Sequence, residues 1–581
     1  MGAPMDSRAA HPLDAMSMFR RALTLWSALL ALLGAVGCRR AGDPIGREIR
    51  TIVSAEKAPA YMEGSRWKLV RQIYEDRQYR PLWVDARRLP ERTKDLIANL
   101  CDAEWEGLRP ADYRLAEFRR TVDRLQPSLH KLRPEAFAVL DLELTRRFLD
   151  YGADLLAGRL DPKAVASGWY IRARRSSIDS TLRVASRAKD FDDMVAPLRP
   201  HQAEYADLVN ALAEYRDILR RGGWPEVPRG RKLRRGDRGA RVVALRRRLK
   251  ATGDLPALAG STPVFDRDLA KAVVRFQVRH GIPTDGRVGA LTLAALNVPV
   301  EVRIRQIQLN LERYRWLPAE FGPRYIYVNI PEYQLYTYDH GEPVLKMRVV
   351  VGEEYENATP VFADSMTLVV FRPDWYVPQR ILVNEIVPRI RKRRSYLVRH
   401  QLEVVDASAH SLVREPRRID WSHVDTTKIR VRQKAGKANP LGLVKFMFPN
   451  QFSVYLHDTP ARDLFNRRTR ALSHGCVRVE RPVKLAEYVL EGQDDWDEKT
   501  VREAMESADA VDQGEAADGR TVKLERPVPV YIVYLTAFVR GGVLNFRADP
   551  YKKDRQAISK LGKPSPGDRR ACEELLKLLG G

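Results

Sequence analysis

The sequence predicts a multidomain α+β protein: a long helical scaffold unit, a small second helical unit, and a mostly-β unit carrying an inserted lid. Three observations predict it. At 581 residues the chain exceeds a single domain, given about 100–200 residues per domain. Apolar residues recur at helical spacing until about residue 299, then give way to runs rich in Val, Ile, Tyr and Thr. A Gly/Pro-punctuated stretch, "GGWPEVPRG" at 222–230, separates the first two units.

Residues 1–38 are expected to be an export signal, whose form lies in "MFRRALTLWSALLALLGAVGCRR", Met18–Arg40. Arg20 and Arg21 are its basic start, and Ala22–Val36 its apolar stretch of fifteen residues. That is short of the roughly twenty apolar residues a membrane span needs. Gly37-Cys38 ends it as a bacterial lipobox does, with Ala35 where Leu is usual, so Cys38 is the expected lipidation site and a membrane tether. The charge, 100 Lys+Arg against 75 Asp+Glu, favours anionic partners. Export makes nucleic acid a poor one and places the mature protein outside the cytoplasm.

Residues 39–60 form a tether. From 61 to 222 the pattern is helical: "LELTRRFLDYGADLL" sets Leu142, Leu144, Phe148, Leu149 and Leu155 on one broad stripe. Trp83, Trp105 and Trp169 are expected in the core. Residues 231–299 repeat helical spacing with Val242, Leu245 and Leu249, then Leu269, Val273 and Phe276. The mostly-β unit spans 324–491, with "RYIYVNI", "YQLYTYDHGEPVLKMRVVVG" and "SMTLVVFRP" as strands and a hairpin turn at Tyr338–Gly341. The strand signal lapses over about 375–442, a length expected of a functional lid. The stretch 492–519, with ten acidic and two basic residues, reads as a flexible link. Strands at 520–556 are expected to complete the β unit or pack on it, and 557–581 to form a helical tail. Of the four cysteines, Cys101 and Cys572 either pair or stay as buried thiols, the latter being the default for a small apolar side chain.

The chemistry concentrates in "SVYLHDTPARDLFNRRTRALSHGCVRVERP", Ser453–Pro482. Side chains alternate along "SVYLHD", so Tyr455 and His457 share a face opposite Val454 and Leu456. Fifteen residues separate His457 from Ser473, enough for a loop to return. In "SHGC", Gly475 lets the backbone bend and expose N–H groups beside the Cys476 thiol. Three readings stand side by side: zinc ligation by His457, His474 and Cys476, a polar piece of core, and thiol catalysis. No carboxylate or further Cys/His stands at metal-motif spacing, so acyl transfer fits best: Cys476 as nucleophile, His457 as base lowering its apparent pKa, and backbone amides for the oxyanion. No metal or cofactor is called for.

Residues 231–299 resemble the small three-helix peptidoglycan-binding domain, through Gly236-x-x-Gly239, "AVVRFQ", "HGIPTDG" and "TLAALN". The spacing from His457 to Ser-His-Gly-Cys resembles the signature of YkuD-type L,D-transpeptidases, with Arg478 where many members carry Asn. "NLERYRWLP", "VNIPEYQLY", "TPVF", "PDWYVP", "RQKAGKANPLGLVKFMFPN", "YRPLWVD" and "GLRPADY" resemble the large Gram-negative YcbB-type branch. The resemblance implies a thioester between Cys476 and a peptidoglycan tetrapeptide stem, loss of D-Ala, and a 3–3 cross-link to a second stem. It implies that His457 exchanges the protons, that the Asp458 carbonyl orients His457, and that His474 and Gly475 line the site. It also implies a place in the periplasm of a Gram-negative cell and trapping by carbapenems. Arg478 is the candidate for a substrate carboxylate, Tyr455, Trp375 and Tyr376 for shaping the cleft, and Ser473 for bracing the turn or meeting substrate. Two other functions compete: a peptidoglycan carboxypeptidase or endopeptidase using the same pair with water, and a non-catalytic wall-binding lipoprotein.

Overall fold

The computed structural model describes residues 43–580 except 56, 60–61, 63–65, 87–89, 172–177, 409–410, 414, 494–495, 507–519 and 563–565. The export segment and Cys38 lie outside the described residues, and the tether expected at 39–60 is corrected: its helix Pro44–Ser54 buries Ile45, Ile49 and Val53 in the core of the helical unit, because their spacing of four puts them on one face. No described helix is long and apolar enough to cross a membrane.

The helical unit is organised by the helix Pro134–Ala157, whose stripe Leu142, Leu144, Phe148, Leu149 and Leu155 is wholly buried. Burial runs around the helix and takes Asp141, Glu143 and Arg147 with it. Asp141 supplies an anion where a loop needs one. Its carboxylate accepts from the backbone N–H groups of Leu82, Trp83 and Val84 at 3.0, 2.6 and 2.9 Å, and from the Tyr74 hydroxyl. Thus "YRPLWVD" is held by a carboxylate about sixty residues away. Asp141→Ala leaves three buried donors unpaired, at about 1–3 kcal/mol each. The expected result is faster hydrogen exchange across 82–84 and the surrounding helices, with the catalytic sheet unchanged. Trp83 and Trp169 are buried as expected; Trp105 is only half-buried, with the Arg216 and Arg220 guanidiniums over its ring.

Cys101 and Cys572 form a disulfide, with Cα atoms 5.5 Å apart. It ties the helix Pro566–Gly580 to the end of the helix Glu91–Cys101, so the C-terminal tail belongs to the helical unit. The buried-thiol default is corrected: spacing of 471 residues carries no pairing signal, and only the fold brings the two together.

The second unit has three helices, Ala240–Ala251, Arg267–Arg279 and Ala290–Leu296. All six expected apolar positions are fully buried. The next helix, Val300–Arg315, is a buried polar axle joining the units. Its Arg313 pairs with Asp554 at 2.7 Å, Arg315 donates to the Tyr205 hydroxyl at 2.8 Å, and Gln306 donates to the Thr536 carbonyl at 3.0 Å.

The β unit is one curled sheet. Its strands are β1 Arg324–Asn329, β2 Gln334–Asp339, β3 Glu342–Gly352, β4 Phe362–Phe371, then the lid strands β5 Trp375–Tyr376, β6 Leu402–Asp406 and β7 Ile429–Gln433. The sheet resumes with β8 Val444–Met447, β9 Leu456–His457, β10 Ala471–Ser473, β11 Val477–Val479 and β12 Arg520–Val533. Its order is β10-β3-β11-β9-β8-β4-β12-β1-β2, and β3 also pairs with β2, which closes the curl. The strand expected at 520 to complete the β unit or pack on it completes it. It is a central member, parallel to β1 and antiparallel to β4, because Val528, Val530 and Ile532 alternate into the core. The acidic link also contains structure, the helix Glu498–Glu506.

The lid is a folded subdomain. It has its own three-stranded sheet, β5-β7-β6, several short helical turns, and a small core including Ile390, Leu397, Trp421 and Val431. Strand periodicity was hidden because β5 has only two residues and β6 and β7 five each.

Candidate active site

Register sets the site. β11 lies parallel to β9 with Val477 opposite Leu456 and Arg478 opposite His457. β8 is antiparallel on the other side, with Lys445 opposite His457. Val477, Leu456 and Phe446 are fully buried on the core face. The pleat therefore puts Lys445, Tyr455, His457, Cys476 and Arg478 together on the other face. The Tyr455 and His457 rings lie 5.6 Å apart, and the Lys445 ammonium sits 4.3 Å from the Tyr455 ring centroid.

His457 is buried, and its Nδ1 donates to the Asp458 carbonyl at 2.6 Å. A carbonyl can only accept, so Nδ1 carries the proton and Nε2 is the basic nitrogen. Burial, then the Arg478 guanidinium, depress the imidazole pKa to about 3, against the stabilising hydrogen bonds to the Asp458 and Leu441 backbone. The Asp458 carboxylate is occupied elsewhere, accepting from the Leu443 N–H at 3.0 Å and from Arg462 at 3.2 Å.

Burial also pushes the Cys476 thiol above its usual value, against hydrogen bonds from Tyr455. The expected lowering by the imidazole is corrected: in the resting site the thiol and the imidazole are both neutral at pH 7. Two charges there would have to be desolvated together, which disfavours a preformed ion pair. The turn is braced by Ser473, whose buried hydroxyl donates to the Cys476 carbonyl at 2.5 Å and accepts from the Gly475 N–H at 3.3 Å. Both the Ser473 hydroxyl and the Gly475 N–H are thus engaged within the turn. Gly475 has φ +123°, a conformation open to glycine.

A cavity of about 340 Å³ lies between lid and sheet, lined by Trp375, Glu385, Arg389, Arg399, His474 and Arg478 among others. His474 reaches across it, with Nε2 2.5 Å from Glu385 of the lid, and Glu385 also pairs with Arg389 at 2.9 Å. Glu385 sits in a wider π turn, Leu382–Ile386. Arg478 makes no ion pair among the described residues, and its Nε is buried without a partner. Trp375 lines this cavity; Tyr376 does not, and instead accepts from Arg432 at 3.4 Å. Among the described residues no three or more His, Cys, Asp or Glu side chains converge as a metal site requires. Sequence reasoning missed Glu385 and Lys445. Lys445 follows from register with His457, but nothing in the sequence marks Glu385.

Three family models match the chain: "Scaffold domain" over 68–212, "Putative peptidoglycan binding domain" over 238–296, and "L,D-transpeptidase catalytic domain" over 323–502. A curated Haemophilus influenzae protein named "Putative L,D-transpeptidase" is 34% identical over 253 residues, covering 43% of this chain and 48% of that protein. The chain thus matches about half the length of that relative. Solved L,D-transpeptidases from Xylanimonas cellulosilytica and Stackebrandtia nassauensis are 15% and 14% identical. They cover 53% and 55% of this chain and 99% of each of theirs, with TM-scores of 0.16 and 0.20, too low to carry argument. The chain carries the L,D-transpeptidase catalytic domain of the YkuD family, together with a scaffold domain and a peptidoglycan-binding domain.

Proposed function

We propose that the protein forms a thioester between Cys476 and a peptidoglycan tetrapeptide stem, releases D-Ala, and passes the acyl group to an amine of a second stem, giving a 3–3 cross-link. The observation that carries this reading is the shared sheet face holding Cys476 beside an imidazole whose proton is fixed on Nδ1. The thiol proton passes to His457 Nε2 as sulfur bonds to the carbonyl carbon and the C=O π pair moves onto oxygen. Collapse re-forms the carbonyl and breaks the C–N bond, and the imidazolium protonates the departing amine. The acceptor amine then attacks the thioester and loses its proton to His457. Arg478, unpaired and facing the lid cavity, binds a donor-stem carboxylate. An exported, lipid-tethered protein would hold this site against the wall. Carbapenems, whose strained amide the thiol opens, would add once, on Cys476.

The test is intact-mass and product analysis of the purified chain with a tetrapeptide muropeptide. A thioester adduct and a 3–3 dimer are expected; tripeptide alone would favour the hydrolytic reading. The lid bears on that partition. Its Arg389 pairs with Glu385, and Arg391 donates to the Trp421 and Ser422 carbonyls, so these two basic residues hold the lid together. Lys392, Arg393 and Arg394 remain for salt-screened attraction to the wall. Replacing 379–431 with a short linker should leave Cys476 alkylation intact while raising hydrolysed tripeptide relative to cross-link, because water enters an open cleft. An unchanged ratio would reject gating by the lid.

A further inference from the structure

Thr359 opens the "TPVF" stretch and is fully buried. Its hydroxyl accepts from the Gly352 N–H at 2.8 Å and donates to the Gly475 carbonyl at 2.7 Å. The direction is forced, since an amide N–H only donates and a carbonyl only accepts. Tyr551 holds the same corner: its hydroxyl donates to the Gly352 carbonyl at 2.7 Å and accepts from the Thr359 N–H at 3.2 Å. Gly352 is locked in place, because a Cβ there would stand 1.9 Å from the Asn357 carbonyl oxygen. Tyr551 lies beyond residue 502, where the matched catalytic domain ends. Gly352 and Tyr551 therefore hold Thr359, whose hydroxyl alone bonds the carbonyl of Gly475, the residue before the nucleophile.

The peptide bond gives this a consequence. The Gly475–Cys476 bond is trans, so its C=O and N–H point in opposite directions. With the carbonyl fixed on Thr359, the Cys476 N–H is aimed away from that buried corner. Among the described residues this N–H has no hydrogen-bond partner, whereas the Gly475 N–H is taken by Ser473. Gly475 has no side chain to hold its peptide plane, so the plane depends on the Thr359 bond.

We propose that Thr359 is a positioning residue that orients the Gly475–Cys476 peptide so that the Cys476 N–H meets the oxyanion, with Tyr551 holding Thr359. This rests on the acyl-transfer reading above. As sulfur bonds to the carbonyl carbon, the C=O π pair moves to oxygen, and the Cys476 N–H donates to that oxygen.

The experiment uses the full chain, a tetrapeptide muropeptide, and the variants Thr359→Val, Thr359→Ser and Tyr551→Phe. Thr359→Val keeps the volume and removes the hydroxyl. It should lower kcat for acyl-enzyme formation about tenfold to a hundredfold, short of the 10²–10³-fold for deleting an oxyanion donor. KM should stay within about twofold, since the lost interaction belongs to the transition state. Iodoacetamide alkylation of Cys476, which forms no oxyanion, should keep its wild-type rate and pH profile. Thr359→Ser should restore acylation. Thr359→Val acylating at the wild-type rate overturns the proposal, as does loss of alkylation and acylation by one common factor, which marks a collapsed loop. Should Thr359→Val not fold, Tyr551→Phe must show the same loss in kcat alone, and a wild-type rate there overturns the proposal. A wild type that is alkylated on Cys476 but never acylated defeats the acyl-transfer reading itself, and this proposal with it. A wild type that acylates alongside an unaffected Thr359→Val defeats only the positioning role.

Discussion

Cys476→Ala is expected to abolish both the acyl-enzyme mass and the 3–3 product. The substitution removes the thiol from the face shared by Tyr455, His457 and Arg478. Alanine fits the half-buried position and leaves the carbonyl bond from Ser473 in place, so the fold should persist. Circular dichroism matching the wild type, with no adduct from the tetrapeptide muropeptide, is the expected pair of results. Turnover by this variant would take Cys476 out of the mechanism. Treatment with a chelator should leave the wild-type rate unchanged; activity lost to chelator and restored by zinc would revive ligation by His457, His474 and Cys476.

His457→Ala should reduce acylation at least about a hundredfold, the low end for a positioned base. The perturbed groups sharpen this into a pH profile. The base must be neutral to act. With its pKa at about 3, His457 stays competent as pH falls through the range where an ordinary histidine charges, near 6.5. The acid limb of kcat/KM should therefore lie near pH 3, provided the protein remains folded. The thiol is shifted the other way, so alkylation by iodoacetamide should rise with pH through a midpoint above the ordinary thiol value. His457→Ala should keep that alkaline alkylation, because hydroxide can deprotonate Cys476 unaided, while losing acylation at neutral pH. An acid limb near 6.5 would mean that the imidazole is solvated in the working enzyme. A wild-type acylation rate in the variant would assign the base elsewhere.

Local sequence determined much of this protein. The six apolar positions of the second unit are buried because a helix places every third and fourth residue on one face, which the chain itself specifies. The alternation in "SVYLHD" fixed which side of β9 carries His457, and glycine at 475 marked the bend beside the thiol. Tertiary structure decided what depends on distant partners. It put β12 between β4 and β1, joined Cys101 to Cys572, and set Glu385 against His474. It also reversed the expected ionisation of the thiol, because desolvation depends on everything packed around a group and not on its neighbours in the chain. The Gly475 carbonyl shows the same division. "TPVF" and "SHGC" are each visible in the sequence, but 116 residues separate Thr359 from Gly475, and only the closed sheet brings hydroxyl to carbonyl.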